Sequence, residues 1–208
     1  MSATSDMGIL LMAAGQGQRY RALAPDVFKL DAPLAGGASV FATTLEGCLR
    51  TGLPVYVVTR PEHQEIIDTC RQRGVSYGCH QTDTLADSIV AGVKACNDWN
   101  GWLVHLADMP QVASQTFLAI YTLLSEHAIA RPVYRHAPGH PVGFARSMQS
   151  ALLALTPGEG AKALLRRHNC YFLDIDDAGV VCDIDTPDDL DKVNAHAKFG
   201  QAGDGAGE

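Results

Sequence analysis

Short apolar runs alternate with helical patterns along most of the chain, and this alternation limits the possible folds more than any other feature. The apolar runs predict strands over 8–13, 54–59, 75–79, 102–107, 129–134, 141–145, 170–174 and 180–184. The segments between them predict helices over 38–50, 62–73, 84–97, 114–126, 147–155, 159–168 and 187–198. The first four runs are continuously apolar, which is typical of strands buried on both faces of a parallel sheet. The pattern therefore predicts a three-layer α/β sandwich.

The composition is that of an ordinary globular domain. We expect one domain over 1–198, followed by a Gly- and Ala-rich tail over 199–208 that has little to bury and is disordered. A net charge of -7 argues against nucleic acid or an anionic membrane as a partner. The absence of a signal-peptide pattern and of the ~20 apolar residues needed to span a membrane favours a cytoplasmic protein. The 6 cysteines include no CxxC pair, so we expect reduced, structural thiols.

The first predicted strand runs directly into a loop of small residues followed by a cation. The loop consists of Ala13, Ala14, Gly15, Gln16 and Gly17, and Arg19 comes two residues later. In an open α/β sheet, ligands bind beyond the carboxyl ends of the strands, and small side chains let backbone N–H groups approach phosphate oxygens. A tight turn with a surface arginine explains the same residues equally well. A dinucleotide fingerprint fits poorly, because Tyr20 stands where a third glycine is needed.

Two acidic residues follow later apolar runs. Asp108 lies in LADMP, at the end of the strand predicted over 102–107, and Asp185 lies in DIDTPDDL, where it would alternate with Asp183 along a strand. A single aspartate at a strand end is more often a cap than a ligand. Two carboxylates beside a glycine loop and an arginine, however, indicate Mg²⁺ bridging a polyphosphate, because Mg²⁺ typically takes one or two protein carboxylates together with phosphate oxygens and water.

Four motifs together resemble a known family. They are LLMAAGQGQR near the N-terminus, LADMP at 106–110, PGHPVGF at 138–144 and DIDTPDDL at 183–190. Their order is similar to that in the MobA-like nucleotidyltransferases, and within that family the chain most resembles the molybdenum cofactor cytidylyltransferases. The resemblance covers about 8–195. It implies a three-layer α/β/α Rossmann-like sandwich with a mostly parallel mixed sheet, of the nucleotide-diphospho-sugar transferase kind.

The resemblance also implies roles for individual residues. Asp108 and Asp185 correspond to the aspartates that hold Mg²⁺ in the family, and Arg19 corresponds to an arginine that lies along the phosphates. The family lysine usually follows within a few residues, whereas the first lysine here is Lys29, in VFKLDAPLAGG; we assign it the same role. Arg19, Lys29 and Asp108 form the predicted catalytic set. Ser88 is either a base or ribose contact or a solvated helix residue.

The nucleotide and the acceptor follow from the same resemblance. In the family an Ala-Ala-Gly loop, here Ala13 to Gly15, goes with cytidine nucleotides and so favours CTP. The family places the loop of Gly139, His140 and Pro141 over the acceptor. The implied reaction is Mg²⁺-dependent transfer of CMP from CTP to the phosphate of molybdopterin, with release of pyrophosphate. A molybdoenzyme or an insertion chaperone is a further possible partner.

Two other classes of function stay open at this point. An NAD(P)H-dependent oxidoreductase of the same superfamily would bind its cofactor without Mg²⁺ and would not depend on Asp185. A non-catalytic nucleotide- or cofactor-binding protein would bind CTP without releasing pyrophosphate. Fold alone does not separate them, because function resides in the site. The pair of acidic residues favours the transferase.

Overall fold

The computed structural model describes residues 7–157 and 160–200. The strands are β1 (Gly8–Met12), β2 (Val55–Thr59), β3 (Ser76–Cys79), β4 (Gly101–Leu106), β5 (Ile129–Tyr134), β6 (Ala137–Pro138), β7 (Val142–Ala145) and β8 (Tyr171–Asp174). The α-helices are α1 (Gln18–Leu23), α2 (Val40–Leu49), α3 (Gln64–Arg73), α4 (Leu85–Ala95), α5 (Ser114–Leu123), α6 (Gln149–Leu153), α7 (Gly160–Arg167) and α8 (Pro187–Gly200). The tail predicted over 199–208 lies, from residue 201 onward, outside the described residues.

The eight strands form one mixed sheet, in the order β3-β2-β1-β4-β7-β5-β6, with β8 paired to β5. The first four strands pair with one another in parallel. β7 is antiparallel to both β4 and β5, so β5 runs in the same direction as β4, and β8 is parallel to β5. The carboxyl ends of most strands therefore lie at one edge of the sheet, which is where ligands bind in folds of this class.

Side chains of β1 alternate between two apolar clusters, one on each face of the sheet. Ile9 and Leu11 belong to the cluster that includes Phe41 of α2, whereas Leu10 and Met12 belong to the cluster that includes Ile89 of α4. All four β1 side chains are buried, as expected for a central strand with helices on both faces. The arrangement confirms the predicted three-layer α/β/α sandwich.

Most of the predicted elements are present, with two differences in the first half of the chain. The short helix α1 was not predicted, because its six residues are too few for a helical repeat of apolar positions. The strand at 75–79 was expected to be buried on both faces, but β3 pairs only with β2 and its end residues Ser76 and Cys79 are exposed. Its position at the sheet edge accounts for the difference.

The prediction of a strand over 180–184 is wrong. The chain forms a 3-10 helix at Ala178–Val181 and continues without regular structure to Asp185. Val180 and Ile184 are both buried, which gives the segment its strand-like apolar pattern. Their backbone groups, however, contact different segments: Val180 O accepts from His140 N–H, and Ile184 N–H donates to Asp108 O. Hydrogen bonds to separate segments replace the ladder that a strand requires.

Two simpler expectations concern the cysteines and the membrane. All six cysteines lie within the described residues and are free, as predicted. No helix in the described ranges 7–157 and 160–200 is long and apolar enough to cross a membrane.

Candidate active site

The loops that follow β1 and β4 lie side by side, because these strands are adjacent and parallel with Met12 opposite Leu106. Ala107 N–H donates to Met12 O, which keeps the two strand ends at the same level. The loop after β1 carries the predicted nucleotide-binding residues, and the turn after β4 carries Asp108. The register of two central strands thus brings together sites that are more than ninety residues apart in the sequence.

The loop after β1 has few side-chain atoms, as its composition predicts. Ala13 and Ala14 are buried, and a Cβ added at Gly15 would meet no atom within 4 Å. Gly17 precedes the first residue of α1 with φ 59°, a left-handed conformation that favours glycine. A Cβ added at Gly17 would also lie 3.4 Å from Lys29 Cβ. Glycine at this position therefore both permits the turn into α1 and leaves room for Lys29.

Asp108 and Asp185 are brought together by the backbone. The carbonyl of Asp108 accepts a hydrogen bond of 3.0 Å from Ile184 N–H, so Asp185 follows a residue that is tied to the Asp108 turn. Thr186 then caps α8 by a reciprocal pair of hydrogen bonds with Asp189. The cap fixes where the helix begins and therefore where Asp185 stands.

Lys29, Asp108, Asp185 and Arg19 form a single network of ion pairs. Lys29 Nζ lies 2.6 Å from Asp108 Oδ2 and 3.2 Å from Asp185 Oδ1. Arg19 Nη1 lies 2.6 Å from the other oxygen of Asp185, Oδ2. The four charged residues singled out from the sequence thus lie in one place, although Lys29 follows Arg19 by ten residues in the sequence.

The network contains one buried and one exposed cation. The Lys29 side chain is 10% exposed and that of Arg19 is 79% exposed. Burial by itself disfavours the Lys29 ammonium, but attraction and hydrogen bonds from Asp108 and Asp185 outweigh it, and the pKa of Lys29 is raised above its ordinary value. Lys29 is therefore a fixed positive charge between two carboxylates.

Two neighbouring concavities meet at this network. One is a cavity of about 220 Å³ bounded by Ala14, Gly15 and Gln16 on one side and by the segment 82–85 with Ser88 on the other. The second is an open cleft of about 460 Å³ lined by Gly17, Arg19, Lys29, Asp83 and Asp185, among others. Gln16, Lys29 and Asp83 border both, so the two spaces form one continuous site.

Ser88 lies in the wall of the smaller cavity, at the start of α4. It is buried, so the reading of Ser88 as a solvated helix residue is wrong. Its Oγ is within 2.8 Å of Thr82 Oγ1 and donates to Thr84 O. Thr84 caps α4 by a reciprocal pair of hydrogen bonds with Asp87, which holds this wall in position.

The carboxylates fit a hard divalent cation. Asp108 Oδ1 is buried and has no hydrogen-bond partner among the described residues, so one carboxylate oxygen with free lone pairs remains beside the paired one. No group of three or more His, Cys, Asp or Glu residues in the described ranges forms a metal cluster. An acid pair without further protein ligands suits Mg²⁺ or Mn²⁺, which complete their shells with phosphate and water.

A loop of Gly139, His140 and Pro141 connects β6 to β7. His140 N–H donates to Val180 O, and a Cβ added at Gly139 would lie 2.2 Å from the same carbonyl oxygen. The loop therefore packs closely against the 3-10 helix that precedes Asp185. None of its three residues lines the two spaces described above, so the loop lies outside the walls of the nucleotide-sized site.

The ring of His140 is neutral at ordinary pH. Burial, reinforced by the nearby Arg131, lowers the pKa of His140 to about 4. Its Nδ1–H donates to Val104 O at 3.4 Å. Because Nδ1 carries the one proton of the neutral ring, Nε2 is an acceptor, and the ring of His140 can form a further hydrogen bond only with a group that donates one.

Several residues of the site were not found by sequence reasoning. The stretch 82–92 resembles the helix that lies on the base side in the family, but Thr82, Asp83 and Leu85, which line the cavity, were not singled out in it. The capping pattern of Thr84 and Asp87 was a further sign, because it fixes the start of a helix at the sheet edge where ligands bind.

Comparison with known families covers the first three of the four motifs, and the fourth, at 183–190, lies beyond the matched residues. The model of the MobA-like NTP transferase domain matches residues 9–171. The molybdenum cofactor cytidylyltransferase of Escherichia coli (strain K12) is 29% identical over 106 residues, which make up 51% of this chain and 54% of that protein. The match thus spans about half the length of this curated relative.

Solved structures share the fold at low sequence identity. A nucleotidyl transferase from Methanothermobacter thermautotroptrophicus gives a TM-score of 0.81 at 20% identity, over 93% of this chain and 98% of the other. Rv0371c from Mycobacterium tuberculosis H37Rv gives 0.80 at 23% identity, over 92% and 99%. Rv0371c is also known as a complex with manganese, with a TM-score of 0.73 at 20% identity over 92% and 99%. These likenesses confirm the predicted fold.

Proposed function

The chain belongs to the MobA-like NTP transferase family, and we propose that it transfers CMP from CTP to the phosphate monoester of molybdopterin, with release of pyrophosphate. The observation that carries this proposal is the network of Lys29, Asp108, Asp185 and Arg19 beside the cavity under the first loop. A metal-bound triphosphate needs both halves of such a network: carboxylates for the cation and fixed positive charges for the phosphates.

The two concavities suit different parts of the nucleotide, one the base with its sugar and the other the phosphates. We assign the cytosine and ribose to the smaller cavity, with Ser88 and Thr82 as polar contacts, and the triphosphate to the open cleft that contains Arg19 and Lys29. The Ala14 methyl group lines the smaller cavity, where a glycine would leave more space. A narrower cavity favours a single-ring base, which supports CTP over purine nucleotides.

Mg²⁺ would be held by Asp108 and Asp185 together with nucleotide oxygens and water. When bound, it would neutralise negative charge on the nucleotide phosphates, where the bond between the α-phosphorus and the pyrophosphate oxygen breaks. The free Oδ1 of Asp108 supports this assignment, since it is a buried carboxylate oxygen without a protein partner among the described residues. The manganese complex of Rv0371c, a structural relative, is consistent with a divalent cation in this fold.

The chain's own contribution to the chemistry is position and charge. The acceptor phosphate is already ionised at neutral pH and attacks the α-phosphorus of CTP in line, so no general base is required. Arg19 and Lys29 stabilise the negative charge that grows on the departing pyrophosphate. Both cations now pair with carboxylates, so nucleotide binding would redistribute their contacts toward phosphate oxygens.

We assign the acceptor to the side of the site formed by Gly139, His140 and Pro141. This loop is hydrogen-bonded to Val180, in the same 3-10 helix that leads to Asp185, which links it to the acid pair. The neutral ring of His140 would accept one hydrogen bond at Nε2, and the nearby Arg131 guanidinium already donates to Gly139 O. Arg131 thus gives the loop a second hydrogen-bonded contact besides the one with Val180.

The test is ligand-induced thermal stabilisation followed by a pyrophosphate assay. The purified chain is heated with CTP, GTP, ATP or NADPH, each with and without Mg²⁺. A ligand at ~100 times its dissociation constant adds about 2.7 kcal/mol, or roughly 5–10 °C for a chain of this size. We expect the largest, Mg²⁺-dependent shift with CTP, and pyrophosphate release when molybdopterin is added.

The other classes of function give different results in the same experiment. A shift with NADPH alone would favour an oxidoreductase and would contradict the proposal. A CTP shift without pyrophosphate release from any phosphorylated acceptor would indicate a binding protein. The matched control is Asp188→Ala, which removes an exposed carboxylate three residues after Asp185 and should leave the CTP shift unchanged.

A further inference from the structure

We propose that Lys29 excludes free divalent metal from the acid pair, so that the metal binds only together with a nucleotide. The inference takes Asp108 and Asp185 as the metal-binding carboxylates and in that respect rests on the proposed function. It concerns the order of binding, which the family resemblance leaves open.

The Lys29 ammonium stands where a cation would bridge the two carboxylates. Its Nζ donates to Asp108 Oδ2 at 2.6 Å and to Asp185 Oδ1 at 3.2 Å, so one ammonium bonds one oxygen of each acid. A metal ion that shared these two oxygens, at ~2.1 Å from each, would overlap the ammonium, and one bound through the free Asp108 Oδ1 would lie beside a fixed positive charge. Metal and ammonium therefore compete for the same pair of carboxylates.

Few other positions are available to the Lys29 side chain. The side chain is only 10% exposed, and a Cβ added at Gly17 would lie 3.4 Å from Lys29 Cβ, so the loop lies close to the base of this side chain. A free metal ion would have to separate the largely buried ammonium from both of its carboxylate partners, which is unfavourable for a charged group. A nucleotide changes this balance, because its phosphates supply new anionic partners for Lys29 as the metal takes the carboxylates. The coupling is reciprocal, as any linkage between two ligands must be.

Arg19 provides an internal comparison. It also pairs with Asp185 at 2.6 Å, but its side chain is 79% exposed and it does not contact Asp108. A metal ion can displace it into water at little cost. Exclusion of the metal therefore depends on Lys29 and not on positive charge in general.

The experiment measures Mn²⁺ binding to the full chain without nucleotide, by electron paramagnetic resonance of the free ion. The variants are Lys29→Met, Arg19→Met as the matched loss of charge at the same acid pair, and Lys94→Met on the exposed side of α4. We expect weak binding to the wild type and binding at least about tenfold tighter to Lys29→Met, because affinity for a hard cation rises with the uncompensated charge of its ligands. Arg19→Met should change affinity less than about threefold, and Lys94→Met should leave it unchanged.

Two further variants keep the result decisive. Asp108→Asn added to Lys29→Met should abolish the gain, which places the new binding at this acid pair. Lys29→Gln repeats the test if circular dichroism shows that Lys29→Met is unfolded. Equal Mn²⁺ affinity of the wild type and both Lys29 variants would overturn the proposal. Failure of the proposed function would appear separately, as a wild-type protein that releases no pyrophosphate, because this measurement contains no nucleotide.

Discussion

Lys29, His105 and His140 lie in or against the segment from Val104 to Met109. Their pKa values are shifted in ways that leave Lys29 charged and both histidines neutral. Lys29 is buried against Asp108 and keeps its charge, with a raised pKa. His105 and His140 are buried against backbone carbonyls and lose theirs: burial lowers the pKa of His105 to about 3 and that of His140 to about 4. His105 contacts Met109 O through Nε2, directly beside Asp108.

The difference lies in the partners rather than in the depth of burial. Lys29 has two carboxylates within 3.2 Å, whereas the two histidines have one carbonyl hydrogen bond each and a repulsive neighbour, His140 for His105 and Arg131 for His140. A buried group keeps its charge only when an opposite charge replaces the lost water. Lys29 is therefore suited to phosphate and metal chemistry, and the two neutral histidines to holding the Asp108 turn in place.

Removal of Asp108 is expected to have the largest effect, because it takes away a metal-binding carboxylate and one anionic partner of Lys29. Asp108→Ala should lower turnover ~10²-fold or more, roughly 3 kcal/mol, as for other single electrostatic groups in active sites. The measurement is the steady-state rate of pyrophosphate release from CTP, with Asp188→Ala as the control. A rate near that of the wild type in Asp108→Ala would refute the metal assignment.

The two cations of the network should differ in their contribution to stability. Lys29→Met should lower the free energy of unfolding by about 2 kcal/mol, below the value for a fully buried pair, because Asp185 is 31% exposed. Arg19→Met should lower it by about 0.5 kcal/mol or less, since its pair is solvent-exposed. Urea unfolding of both variants checks the difference. Equal losses would mean that burial of Lys29 does not matter.

The neutral histidines predict loss of stability in acid. The pKa of His140 is about 4 in the folded protein and 6.5 in the unfolded chain, so between these values the unfolded state binds more protons. Stability due to the neutral ring is therefore present above pH 6.5 and is lost as the pH falls toward 4, at about 1.4 kcal/mol per pH unit. His140→Gln lacks this titration.

The check is urea unfolding of the wild type and of His140→Gln from pH 4.5 to 8. Above pH 7 the two profiles should run parallel, and below pH 6 the wild type should lose stability more steeply. Profiles that stay parallel down to pH 4.5 would show that His140 is protonated in the folded protein.

The sequence was sufficient to predict the sheet and the charged residues of the site. The continuous apolar runs of β1 and β4 reflect burial on both faces, and that is a property of central parallel strands that local sequence records directly. Asp108 was recognisable at the end of a strand, whereas the roles of Arg19, Lys29 and Asp185 came from the resemblance of their motifs to the family. Their distances and the bridging position of Lys29 depend on strand register and were not predictable.

The segment before Asp185 illustrates what local pattern misses. Val180 and Ile184 are both buried and read as one face of a strand, yet burial alone does not say where the backbone hydrogen bonds go. Here Asp177 accepts from Gly179 N–H and starts a 3-10 helix, and its other oxygen holds Ala113 and Thr116. These partners are more than sixty residues away in the sequence, so a local reading favours the strand.

The smallest expected effect is the salt dependence of CTP binding, which should differ between variants of Arg19 and variants of Lys29. Arg19 is exposed, and its contribution to CTP binding should be screened as the Debye length falls from ~10 Å at 0.1 M to ~3 Å at 1 M salt. Arg19→Gln should weaken CTP binding about threefold at 0.1 M and by much less at 1 M, as for an exposed charge pair. Lys29→Gln should weaken it by a similar factor at both concentrations, because only 10% of the Lys29 side chain is exposed to counter-ions. Calorimetric titration of both variants with CTP and Mg²⁺ at the two salt concentrations measures the contrast. The same salt dependence for both would mean that Lys29 moves into solvent when CTP binds, and that the difference in burial is lost in the complex.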